Sequence, residues 1–87
     1  VTEVAGLIGG RSATLGVTVM KARRMRQLRQ AELGRLIGVT RSTVSRIEND
    51  HETPRMNTLV LLSEVLELPY AKLLKLAGYT ANGNRAA

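Results

Sequence analysis

The stretch Gln30-Ala31-Glu32-Leu33-Gly34-Arg35-Leu36-Ile37-Gly38-Val39-Thr40-Arg41-Ser42-Thr43-Val44-Ser45-Arg46-Ile47-Glu48 holds two short helical patterns with three residues between them. The first covers about 30–37 and stops at Gly38, the residue type best suited to a left-handed position after a helix. Thr40 is a good N-cap for the second, over about 41–49, and Val44 and Ile47 supply its buried face at i, i+3. Helices of about eight residues are not stable alone in water. The connection Gly38-Val39-Thr40 is short enough that the two must cross sharply and share a core.

The pattern continues on both sides. Upstream, a helix is expected from near Thr14, a candidate N-cap, to about Arg26, with Leu15, Val19 and Ala22 at i, i+4, i+7. Downstream, residues 49–54 are turn-rich. A fourth helix is expected over about 56–66 and a fifth over 69–77, with Pro69 in its first turn, where the missing N–H costs nothing, and Gly78 closing it. Residues 1–13, with Gly6, Gly9, Gly10 and no helical period, read as a flexible arm. Residues 80–87 read as a frayed, disordered tail. The expectation is a compact all-α, five-helix domain over 14–79.

Composition narrows the chemistry. The chain has 87 residues, no Cys, Trp or Phe, two Tyr and one His. One domain is the limit at this length, burying only about 60% of the surface that its unfolded form exposes. A disulfide framework, a zinc finger and a thiol nucleophile are excluded. Serines are plentiful, but no histidine-backed nucleophile or glycine-rich phosphate loop is present, so neither an enzyme nor a cofactor is expected. His51, in an acidic turn, reads as a solvated residue and not as a metal ligand. Met20, Met25 and Met56 read as gap-fillers in an aromatic-poor core. No apolar run approaches the ~20 residues of a membrane span, and the opening VTEVAGLIGG lacks the basic start of a signal peptide. The expected setting is cytoplasmic and nucleoid-associated, without a membrane partner.

The formal net charge is +6. Residues 21–46 alone carry eight basic side chains against one acid, Glu32. The excess is mostly arginine, whose fork-like guanidinium suits phosphates and guanine edges. A polyanionic partner is the natural reading of that distribution.

Crossing helices with a short connection are the helix-turn-helix geometry. Gln30-Ala31-Glu32-Leu33-Gly34, followed by Gly38 through Glu48, resembles the lambda-repressor/Cro-type (XRE) helix-turn-helix family. Leu15-Gly16 with Val19 and Arg23 looks like that family's first helix, and Pro54, Leu59, Leu62, Leu66 and Leu73 fall where its later helices place core residues. The resemblance covers about residues 14–79. It departs from the family at Gly34, usually alanine; at Arg29, where a Ser or Thr N-cap is common; and at Asp50 and Glu67, where glycine often follows a helix.

The resemblance implies a sequence-specific regulator of transcription that lays its third helix in the major groove of double-stranded DNA. Positions not used by Val44 and Ile47 then face the bases: Arg41, Ser42, Ser45 and Arg46. Either arginine could contact guanine O6/N7 in bidentate fashion. Gln30, Arg29, Thr40, Thr43, Asn49 and Arg55 are the expected backbone contacts, with Lys21, Arg24 and Arg11 as weaker candidates. Arg23 and Glu48 match an ion pair between the first and third helices. Val60, Leu61 and Val65 widen the apolar face of the fourth helix past one core stripe. With Leu68 and Tyr70 they are the expected homodimer surface of a repressor reading an inverted repeat. The alternative is an antitoxin-like or co-regulator module, whose main partner is another protein and whose DNA binding is secondary.

Overall fold

The computed structural model describes residues 14–79. The expected arm over 1–13 (with Arg11) and the expected tail over 80–87 lie outside the described residues. Five α-helices follow one another: α1 (Leu15–Met25), α2 (Gln30–Ile37), α3 (Arg41–Glu48), α4 (Met56–Leu66) and α5 (Tyr70–Leu76). There is no extended sheet among the described residues. The all-α, five-helix expectation therefore stands.

The core is aliphatic. Val19, Leu33, Val44, Leu59, Leu62, Leu66 and Leu73 are almost completely buried. They join Leu15, Ala22, Ile37 and Ala77 in one cluster. Helix α3 packs on α1 and α2, while α4 touches α1, α2 and α5, so α4 is the central support. Its Leu59, Leu62 and Leu66 repeat at i, i+3, i+7 and form the stripe that the other helices cover.

The helix starts follow from their caps. Thr14 Oγ1 accepts from the Val17 amide at 3.1 Å, and Thr40 Oγ1 accepts from the Thr43 amide at 3.1 Å. Arg29 has no acceptor to offer the start of α2, and its side chain makes no cap bond. Glu32 compensates by accepting from the Arg29 amide at 2.7 Å, which is the reciprocal half of a capping box.

The helix ends share one device. At each, an amide beyond the helix reaches back five residues to a carbonyl of the last turn: Leu28 to Arg23, Val39 to Gly34, His51 to Arg46, Leu68 to Ser63 and Tyr79 to Leu74, at 2.8–3.1 Å. This closure needs a left-handed residue just before the donor. Gly38 (φ 77°) and Gly78 (φ 85°) supply it easily, but Gln27 (φ 57°), Asp50 (φ 60°) and Glu67 (φ 55°) do the same despite their Cβ atoms. Four of the five donors, Leu28, Val39, Leu68 and Tyr79, press their side chains onto the core. The Tyr79 hydroxyl also donates to the Pro54 carbonyl at 3.0 Å, fastening the end of α5 to the segment before α4.

Several expectations need correction. Helix α3 stops at Glu48, with Asn49 as its cap. Helix α5 runs over Tyr70–Leu76, and Pro69 is its N-cap at ψ 124°, outside the helical region, instead of its first residue. Met25 is 80% exposed because it ends α1 on the side away from the core, so it fills no gap. Val65, Leu68 and Tyr70 pack partly against the chain's own core, which leaves Val60 and Leu61 as the exposed part of the expected dimer surface. Gly34, where the family usually has alanine, sits close to the turn: a Cβ there would stand 2.6 Å from the Val39 carbonyl oxygen.

Candidate nucleic-acid interface

Helix α3 is anchored along one stripe, Val44, Ile47 and Glu48, all buried. The opposite side is left to solvent. Arg41, Ser42 and Arg46 are exposed and Ser45 is half-buried, so the four expected base-facing residues share the outward face. Because the Thr40 hydroxyl already serves the Thr43 amide, the amides of Arg41 and Ser42 remain at the helix start with no intrahelical acceptor.

A buried charge lock fixes this helix. Arg23 Nε donates to Glu48 Oε2 at 2.5 Å and Nη2 donates to Glu48 Oε1 at 3.1 Å, a bidentate pair between α1 and α3. The remaining nitrogen, Nη1, donates to the Leu28 carbonyl at 2.8 Å. Gln30 Nε2 adds a bond to Glu48 Oε1 at 3.0 Å, so α2 joins the same carboxylate. Arg23 and Glu48 are 8% and 3% exposed, and no buried side-chain polar atom among the described residues lacks a partner. Losing one member of such a pair costs about 3–5 kcal/mol, because the other charge is left buried and unmatched.

A second tie was not foreseen. Asp50, at the left-handed position after α3, accepts from the Thr14 hydroxyl and from the Gly16 amide, each at 2.9 Å. A carboxylate thus sits at the start of α1, where the helix dipole favours it. The approach is close: a Cβ on Gly16 would collide with the Glu48 and Ile47 carbonyl oxygens. The only sequence signal was an acid in a glycine position, and nothing in the local pattern pointed to a residue 34 positions away.

The expected backbone contacts are not equivalent. Arg29 and Arg55 are exposed, at the starts of α2 and α4. Gln30 is half-buried, with one amide hydrogen committed to Glu48 and the other left for an acceptor. The Thr40 hydroxyl donates to Thr43 Oγ1 at 3.1 Å, which leaves the Thr43 hydroxyl hydrogen as the one that faces outward chemistry. Asn49 turns its amide nitrogen back to the Ser45 carbonyl at 2.8 Å, so it is held within the end of α3. Thr43 and Arg55 line one groove between α3 and the segment before α4, together with Glu52. Lys21 and Arg24 are exposed on α1. Arg46 Nε lies 3.2 Å from Glu52 Oε1, an exposed pairing that the sequence reading also missed. No helix among the described residues is long and apolar enough to cross a membrane.

Comparison with known proteins bears on this geometry. A helix-turn-helix family model matches residues 19–79. The chain is 35% identical over 65 residues to the uncharacterized HTH-type transcriptional regulator RghRB of Bacillus subtilis (strain 168), covering 74% of this chain and 47% of that protein. It therefore spans about half the length of the curated relative it matches. Among solved structures, the P22 c2 repressor in complex with synthetic operator 9T in the presence of Tl+ is similar at TM-score 0.69 and 30% identity, over 74% of this chain and 97% of that one.

Proposed function

Because the chain belongs to the lambda-repressor/Cro-type helix-turn-helix family, we propose that it is a sequence-specific, double-stranded-DNA-binding regulator of transcription that reads the major groove through α3. The observation that carries the proposal is the division of α3 into two sides. One is locked by Val44, Ile47 and the Arg23–Glu48–Gln30 lock; the other presents Arg41, Ser42, Ser45 and Arg46 on a strongly basic segment. A solvated charged helix has no need of a buried ion pair that fixes its angle. A helix that must place side chains against base edges does.

In this reading Arg41 and Arg46 contact guanine edges, each discriminating by about 1–3 kcal/mol, and Ser42 and Ser45 touch nearby bases. The exposed Arg29 and Arg55, with Gln30, Thr43 and the free amides at the start of α3, hold the phosphate backbone. Thr40 acts mainly as a cap, and Asn49 contributes only if it releases Ser45. A homodimer acting as a repressor on an inverted repeat fits the exposed Val60 and Leu61, since two third helices one duplex turn (~34 Å) apart need a self-association surface.

The test is selection from random duplexes, with the wild type and Arg41→Ala side by side. The expected result is a defined half-site, with preference at one base pair relaxed in the variant. Selection that returns no enriched motif overturns the proposal, and a symmetric pair of half-sites supports the dimer.

A further inference from the structure

Arg46 is the one residue on the outward face of α3 that is paired with an acid among the described residues. Its Nε lies 3.2 Å from Glu52 Oε1, with the two side chains 63% and 36% exposed. Beyond this ion pair, the Arg46 side chain makes no hydrogen bond among the described residues. Glu52 stands on the groove between α3 and the segment before α4, with Thr43 and Arg55 on the same lining.

An acid at that place is costly for a surface that must approach phosphates, so its effect on Arg46 must be weighed. An unrestrained arginine beside a duplex has two kinds of acceptor, the phosphates and the guanine edge. The phosphates carry the charge and occur at every step, so they attract the side chain whatever the sequence. A carboxylate at Nε opposes that in two ways. It holds the lateral edge of the guanidinium toward the 52–55 segment, and it repels a phosphate that would come to the same place. The end-on fork of Nη1 and Nη2 stays open, with the geometry that guanine O6 and N7 accept.

We infer that Glu52 is a specificity-determining residue that acts by positioning Arg46: it lowers affinity for any duplex and raises discrimination at the base pair that Arg46 reads. This rests on the reading of Arg46 as a base contact, and the test separates the two.

Dissociation constants are measured at one salt concentration, on the selected site and on a duplex of random sequence, for the wild type, Glu52→Gln, Arg46→Ala and the double variant. Glu52→Gln is expected to bind the random duplex more tightly. Its selected-to-random ratio should fall by about two- to fivefold, the range open to an exposed ion pair. The loss should be confined to the base pair that Arg46→Ala relaxes, and in the Arg46→Ala background the Glu52→Gln change should leave the ratio unaltered. Equal tightening on both duplexes would show that Glu52 acts through its charge alone and would overturn the inference with the base-reading role intact. Unchanged preference in Arg46→Ala would overturn both. The substitution is isosteric at a half-buried position, and a thermal unfolding midpoint near wild type verifies that the fold is kept.

Discussion

Asp50 and Gln27 occupy the same backbone conformation, φ 60° and 57°, at the ends of α3 and α1, yet their replacement by glycine is predicted to have opposite effects. Gln27 is exposed, and its side chain has no partner among the described residues. Glycine there relieves about 1–2 kcal/mol of left-handed strain and loses about 0.5–1 kcal/mol through the greater freedom of the unfolded chain. Gln27→Gly should therefore stabilise by about 0.5–1 kcal/mol. Asp50 visits this region at less cost, so there is less strain to relieve. Its carboxylate also accepts from Thr14 and Gly16 at 2.9 Å and faces the start of α1.

Two bonds to a charged group, taken at the lower end of their range because the site is partly open, outweigh the relief, and Asp50→Gly should lose about 1–2 kcal/mol. The assay is urea denaturation followed by far-ultraviolet circular dichroism, with thermal midpoints in parallel. In a domain of this size, the two variants should melt about 10 °C apart or more, on either side of the wild type. Asp50→Asn, which keeps an acceptor and tolerates the conformation, should fall between wild type and Asp50→Gly. If Asp50→Gly stabilises as much as Gln27→Gly, the carboxylate bridge between α1 and α3 contributes nothing and the reasoning fails.

Arg23→Ala should destabilise by about 3–5 kcal/mol by taking the guanidinium from the buried Glu48 carboxylate, seen as a lower denaturation midpoint; adding Glu48→Ala should recover part of the loss, and strict additivity would argue against coupling. Arg55→Ala should weaken binding alike on all sequences and reduce the slope of log affinity against log salt by about one; altered base preference would move Arg55 out of the phosphate class. Leu61→Glu should shift sedimentation to monomer and weaken operator binding if two copies meet on α4, and a wild type already monomeric on its operator removes that role.

Periodicity and caps made most of the scaffold legible. The bounds of α2 and α4 coincide with those read from apolar spacing, and Thr14 and Thr40 cap where their hydroxyls predict. What stayed hidden has a common cause: it depends on neighbours in space. The sequence around Pro69 is compatible with a first-turn or a cap position, and its ψ is decided by how α5 must leave α4. Gln27 has no local preference for a left-handed backbone, but closure of α1 through Leu28, whose side chain packs on the core, requires it. Asp50 and Glu52 looked like two acids in a turn, and only the fold gives them Gly16 and Arg46 as partners. Family likeness pointed to Arg23 and Glu48; it did not indicate that Gln30 joins them. Val65 and Tyr70 counted as surplus apolar surface because a helical wheel cannot register that α5 folds back against α4.

The shared closure of the helix ends limits how this domain can vary in length. Each reversal is measured between a fixed carbonyl and the donor that follows the left-handed residue, and in four cases that donor is also a core side chain. One extra residue in the links at 26–29, 38–40 or 67–69 would pull the bond out of register with the packing. In those three links a single cap residue (Arg29, Thr40 or Pro69) separates the closing donor from the next helix, whereas four residues, 52–55, follow His51 before α4 begins. Insertions and deletions should collect at 52–53, beside the end of α3 and ahead of the buried Pro54 that Tyr79 fastens, where a change in length alters the approach to a duplex.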